Sequence, residues 1–139
     1  MTLVDLVMAV AILGIMAGGI FGSFRYGFFT LQLVRENQRA TQVLLEKVET
    51  IRLYSWDQVN SNGFIPATFE EPYDPQAPTG SQGVTYSGTV TKSPCPLVSS
   101  YAANMIQLTV TLSWTTRDIL HTRRLTTYIA KDGIQNYVY

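Results

Sequence analysis

Asp5 is the only charged side chain between Met1 and Phe24, in the run MTLVDLVMAVAILGIMAGGIFGSF. Left unpaired in hydrocarbon, a carboxylate costs about 2.5–3.5 kcal/mol at the centre of a membrane span and less near its end. It therefore needs a partner. The local candidate is Thr2, because Thr2-x-x-Asp5 has the spacing of a capping box, with Thr2 as N-cap and Asp5 reaching back to it. A negative group also suits the positive end of a helix dipole. Other side chains offer less chemistry. A single cysteine, Cys95, and a single histidine, His121, exclude an intramolecular disulfide framework and the usual structural zinc sets. Cys95 sits between Pro94 and Pro96 with only Lys92 nearby as a cation, so it reads as structural or incidental rather than as an activated thiol. His121, close to Arg123 and Arg124, reads as part of a solvated strand edge; no nucleophile, base and orienting group fall together, and no catalysis is expected. Glu70, Glu71 and Asp74 could offer oxygen ligands to calcium, but they read first as solvated loop charge, so no metal and no cofactor are expected. Ten acidic residues balance ten basic ones, which argues against nucleic acid or an anionic membrane surface as the main partner.

The elements that carry Asp5 are unusual. An apolar run from Met1 to Phe24 fits the length of a membrane-crossing helix and exceeds an ordinary core helix. A secretory signal would place basic residues before the run. None precedes it, and although Ala17-Gly18-Gly19 has the look of a cleavage site, the apolar run continues past it. A plain single-pass anchor would stop at a loop or a basic cluster. Here the helical pattern goes on. From Tyr26 to Trp56 there is no proline and one glycine, Gly27, while Ala40, Val43, Leu44, Leu45, Val48 and Ile51 recur at a three/four spacing. Arg35, Glu36, Arg39, Glu46, Lys47, Glu49 and Arg52 fill the gaps, and the Glu36–Arg39 and Glu49–Arg52 pairs support an exposed helical face. One continuous helix of about fifty-five residues, on the order of 80 Å long, is the expectation. It is apolar all round in its first half and amphipathic in its second.

Within the apolar half, Gly14, Gly18 and Gly22 fall four apart with Gly19 beside them. Such spacing permits close approach of helices in a membrane. It also softens the helix, since each glycine costs up to about 1 kcal/mol relative to alanine. Phe21, Phe24, Tyr26, Phe28 and Phe29 gather where the span would meet the water interface, as an aromatic belt.

Beyond Trp56, the prolines at 66, 72, 75 and 78 and the glycines at 63, 80 and 83 predict a long irregular connection over 57–83. Val84–Lys92 alternates as a strand, 93–103 reads as a second loop, and the clearest strand follows. In it, Ile106, Leu108, Val110, Leu112 and Trp114 face one way and Gln107, Thr109, Thr111, Ser113 and Thr115 the other. Arg117-Asp118 predicts a turn, Ile119–Ala130 a further strand, and Lys131-Asp132-Gly133 a turn before a short tail, Ile134–Tyr139. A small antiparallel sheet with one apolar face needs a cover, and the amphipathic helix half is the only candidate. The expected class is α+β, with a helix half at 1–30 and a soluble domain at 31–139 whose strands lie in 84–139. Leu44, Val48 and Ile51 should meet Leu108, Val110, Leu112 and Trp114 in its core.

Met1-Thr2-Leu3-Val4-Asp5-Leu6, the apolar run and the amphipathic continuation resemble the mature N-terminus of type IV pilins and type II secretion pseudopilins. The match is strongest over the first thirty residues or so, and the remainder is similar in architecture. Leu108–Trp114 and the strand ending Tyr128-Ile-Ala130 look most like minor pilins and pseudopilins. The chain departs from the family pattern at Met1 (usually Phe), Asp5 (usually Glu) and Gly22 (often Pro), and it lacks the cysteine pair that often closes the C-terminal loop. The resemblance implies a structural subunit of a pilus-like or pseudopilus filament, in which Asp5 pairs with the α-amine of Met1 on a neighbouring subunit. It implies copies of itself or related pilins, inner-membrane assembly machinery and a prepilin peptidase as partners. Lipid would surround the helix before assembly, and the chain would move from the inner membrane to an extracellular pilus or periplasmic pseudopilus. A minor subunit that primes assembly at the tip, or a membrane-anchored binding module, is the alternative. The resemblance further implies that Met1 is exposed by the peptidase and N-methylated. Intact-mass analysis of native material is expected to show a terminal residue one methyl heavier than Met; an unmodified, formylated or upstream-extended terminus contradicts it.

Overall fold

A computed structural model describes residues 2–133. One helix, α1, runs Leu3–Arg52 without interruption, as proline-free sequence allows. Four of its hydroxyls bond back to its own backbone. The hydroxyls of Ser23, Thr30, Thr41 and Thr50 donate to the carbonyls of Gly19, Tyr26, Asn37 and Glu46 at 2.9, 3.1, 3.0 and 2.7 Å. Back-bonding of this kind hides a hydroxyl inside an apolar segment. The chain divides into two compact units, Met1–Arg35 and Glu36–Tyr139, a few residues beyond the boundary expected at 30/31.

The helix ends four residues earlier than its periodicity suggests. A second helix, α2 (Trp56–Asn60), begins there, capped by Ser55 in a complete capping box: Gln58 N donates to Ser55 Oγ at 3.3 Å, and Ser55 N donates to Gln58 Oε1 at 2.9 Å. The stretch 57–83 is likewise less irregular than its prolines imply, because it also holds a strand, β1 (Thr68–Pro72). Pro72 is tolerated because β1 is an edge strand, where a missing N–H can face away from the ladder. β2 (Thr85–Pro94), β3 (Met105–Thr116) and β4 (Ile119–Ala130) complete a four-stranded antiparallel sheet in the order β1-β2-β3-β4. β2 thus runs two residues past Lys92, and a short 3-10 turn, Ala102–Asn104, closes the loop before β3. The β3–β4 hairpin turns on Arg117 and Asp118, whose φ values of 47° and 65° match a two-residue turn with both central residues left-handed. Ile134–Tyr139 lies outside the described residues.

In the second unit the core is where the two periodicities place it. Ala40, Val43, Leu44, Val48 and Ile51 of α1 form one buried cluster with Leu108, Val110, Leu112 and Trp114 of β3, joined by Tyr86 and Ile129. Leu45, also apolar, is 48% exposed and takes no part. Gly88 occupies an inward position on β2 opposite Phe69 of β1. A Cβ there would lie 2.2 Å from the tip of the Phe69 ring. Lys47 Nζ stands 4.7 Å from the centre of the same ring. The ring is thus held between the helix and a position that only glycine leaves open.

Truncating the inner face should therefore be costly and truncating the outer face cheap. Leu112→Ala is expected to cost about 2–5 kcal/mol and Val110→Ala somewhat less. Gly88→Ala should cost about 1–3 kcal/mol by displacing Phe69. Thr109→Ala and Thr111→Ala should stay within about 0.5–1 kcal/mol. Thermal melts of the detergent-solubilised chain check the order; equal losses on both faces would overturn the orientation of β3.

Candidate functional site

In the first unit the chemistry sits at the start of α1. Asp5 Oδ2 accepts from Thr2 N at 2.9 Å and from Thr2 Oγ1 at 2.8 Å. This is half of a capping box. The carboxylate reaches back to the Thr2 amide, but the Thr2 hydroxyl donates to Asp5 instead of accepting from its N–H. The Asp5 amide goes to the Thr2 carbonyl at 3.0 Å. Both bonds fall on one oxygen, and among the described residues Asp5 Oδ1 takes no hydrogen bond. Met1, the other half of the expected registration pair, lies outside the described residues.

From Leu3 to Phe28 the large apolar side chains are 54–80% exposed, on every side of the helix. The helix is long and apolar enough to cross a membrane, as an anchor or a signal sequence would. Gly14, Gly18, Gly19 and Gly22 are all helical, and a Cβ added at any of them meets nothing within 4 Å. Among the described residues no contact requires them to be glycine. Beside them a shallow apolar hollow is lined by Met16, Gly19, Ile20, Ser23 and Phe24.

In the second unit, sequence reasoning missed a buried polar anchor. Glu36, read as a gap-filler on an exposed helical face, is only 4% exposed. Its carboxylate accepts a short hydrogen bond from Thr116 Oγ1 at the end of β3. Its backbone carbonyl accepts from Tyr86 Oη on β2 at 2.9 Å. Tyr86 packs edge-on to Trp114, with ring centres 5.4 Å apart, and Trp114 stacks on His121 at 5.3 Å. His121 is therefore part of the aromatic packing rather than a solvated edge group. Trp114 Nε1 is buried with no partner among the described residues. Around this centre, Arg123 of β4 donates to Asn37 Oδ1 at 3.2 Å and Thr41 Oγ1 at 3.4 Å. Arg39 donates to the Tyr73 carbonyl at 3.1 Å and lies 3.6 Å from Glu71. One helical turn thus makes polar contact with β2, β3, β4 and the segment after β1. This arrangement fixes the rotation and height of α1 on the sheet.

The remaining candidates do not gather. Glu70 and Glu71 lie on β1, not in a loop, and Asp74 Oδ1 accepts from Gln76 N at 3.0 Å. Among the described residues no three His, Cys, Asp or Glu side chains come together to hold a metal. Lys92 is engaged with the carbonyls of Val59 at 2.8 Å and Ser61 at 3.2 Å, where it closes the end of α2 rather than activating Cys95. Compared with family models, with curated proteins and with solved structures, the chain finds no match.

Burial, reinforced by the Glu36 charge, holds the Tyr86 hydroxyl far above its ordinary pKa of 10.0. The folded protein therefore keeps a proton that the unfolded chain releases. The resulting stability is complete below about pH 10 and falls as pH rises beyond it. Tyr86→Phe is expected to lose about 1 kcal/mol at neutral pH. It should also flatten the loss of stability above about pH 10, an effect that urea melts at neutral and alkaline pH would read. An unchanged alkaline slope would remove Tyr86 as its source.

Proposed function

We propose that the chain is a structural subunit of a type IV pilus-like or pseudopilus filament, polymerising through the first half of α1. The observation that carries the reading is the placement of Asp5. It is the sole carboxylate of an apolar helix half, in the first turn of the helix, with one oxygen held by Thr2 and the other unbonded among the described residues. A chain that merely crossed a membrane would gain by having an apolar residue there. A carboxylate that also meets a neighbour's terminal amine as the helices enter a common core would set each subunit's position along the filament. The wholly exposed apolar surface from Leu3 to Phe28 supports the same reading, since copies of the helix can replace lipid around it. The subunit would wait in the inner membrane as a single-pass protein and leave it on assembly into an extracellular pilus or periplasmic pseudopilus. It would have no catalytic role.

Electron microscopy of assembled material tests this. Asp5→Ala removes one partner of a desolvated pair, a loss of about 3–5 kcal/mol per contact, and should abolish filaments while leaving the membrane-inserted fraction unchanged. Asp5→Glu should assemble. Filaments formed by Asp5→Ala in wild-type yield would leave Asp5 with the capping role alone.

A further inference from the structure

The two edges of the sheet are complementary to each other. β1 carries Glu70 and Glu71, and β4 carries Arg123 and Arg124. Among the described residues no strand lies outside either edge. We infer that β4 of one copy pairs antiparallel with β1 of the next, continuing the sheet from subunit to subunit, with Glu70 opposite Arg124 and Glu71 opposite Arg123.

Three independent constraints select this register. The first is direction. With four antiparallel strands, β1 and β4 run opposite ways, so two copies pointing the same way present antiparallel neighbours. Only this shared polarity rests on the filament reading. The second is hydrogen-bond phase. On β1, the bonds from Val90 N to the Ala67 carbonyl and from Tyr73 N to the Val84 carbonyl show that odd-numbered residues bond to β2. The even ones, Thr68, Glu70 and Pro72, thus turn their backbone groups outward. On β4, the bond from Lys131 N to the Asn104 carbonyl sets the same phase, so Thr122, Arg124 and Thr126 face out. Glu70 can then exchange both backbone bonds with Arg124 and Thr68 with Thr126, while Pro72, lacking an N–H, accepts from Thr122.

The third constraint is side-chain chemistry. In this register Phe69 meets Leu125 on the core face, and both acidic residues meet arginines, one pair on each face. A slip of two residues keeps the phase but places Glu70 against Thr122 or Thr126, and Glu71 against His121 or Leu125. Symmetric pairing of β4 with β4 would bring arginines together, and β1 with β1 would bring glutamates together, each a like-charge contact across strands. The edge-to-edge contact is therefore heterologous, the kind that builds an open filament where the rotation between copies does not close a ring. Glu71 keeps Arg39 as a neighbour at 3.6 Å, and Arg123 keeps Asn37 at 3.2 Å, so both ends arrive already oriented.

Disulfide trapping on the full chain in detergent, with Cys95→Ser as background, tests the register. Directly opposed residues of a hydrogen-bonded pair have Cα atoms about 5.5 Å apart, inside the range a disulfide spans. A mixture of Thr68→Cys and Thr126→Cys chains, one of them tagged, is expected to give mixed dimers at least about tenfold above Thr68→Cys with Thr122→Cys, or either variant with itself. Glu70→Arg on the first chain should suppress them, and Arg124→Glu on its partner should restore them. Melting temperatures confirm that each variant is folded. Absent dimers, or equal trapping with position 122, would overturn the inference. The same trapping with and without Asp5→Ala separates the two proposals: mixed dimers without filaments in the Asp5→Ala background would leave edge pairing standing, and filaments without mixed dimers when Asp5 is intact, lost on Asp5→Ala, would leave helix registration standing.

Discussion

A helix that is apolar on every side for its first thirty residues cannot be stabilised by water, and this constraint governs the rest of the molecule. Nearly all the large side chains from Leu3 to Phe28 gain only when lipid or other helices surround them. The second half of the same helix answers to a different solvent. Ala40, Val43, Leu44, Val48 and Ile51 fall on one stripe and bury against the sheet, while Glu46 and Glu49 stay in water. Two environments divide one uninterrupted hydrogen-bonded element, and the second compact unit begins at Glu36.

Glu36 stands where the second environment begins, and its burial has a physical use. Apolar packing of a helix on a sheet tolerates small rotations and slides, because hydrophobic contacts have little direction. A buried carboxylate does not. Its hydrogen bond from Thr116 and the bond from Tyr86 to its carbonyl each fail if α1 turns or slips by a fraction of a residue, leaving buried polar groups unpaired. Arg123 and Arg39 extend the same restraint to β4 and to the segment after β1. If the sheet edges pair between copies as inferred above, the angle between helix and sheet has to be single-valued. Directional bonds supply that more sharply than the surrounding leucines and valines.

What the sequence made legible follows from the range of the interactions involved. The strict alternation from Ile106 to Trp114 and the three/four spacing from Ala40 to Ile51 are local patterns, and both core faces lie where those patterns put them. The Arg117-Asp118 turn was readable for the same reason. The end of α1 was misplaced because apolar residues continue in register through Trp56, although the Ser55–Gln58 capping box was present in the sequence. β1 was hidden by Pro66, Pro72 and two glutamates, a composition that only an edge strand tolerates. Glu36 could not be read at all, since its partners stand fifty and eighty residues away. At Asp5 the local partner, Thr2, was legible because it stands three residues away.

The glycines of α1 take their meaning from the same change of surroundings. In lipid an unpaired backbone amide costs several kcal/mol, so the stretch from Gly14 to Gly22 stays helical despite four residues that each weaken it by up to about 1 kcal/mol. Among the described residues each glycine is open to an added methyl group, so packing there explains none of them. Their reason must come from outside. Glycines at 14, 18 and 22 mark one face of the helix, where another backbone can approach closely. In the proposed filament the glycines would also offer the least resistance to a change of backbone conformation. The stretch that is safest to pack against is therefore also the one where helix can most cheaply be exchanged for length. The stretch is helical throughout here, and in lipid the cost of an unpaired amide would keep it so.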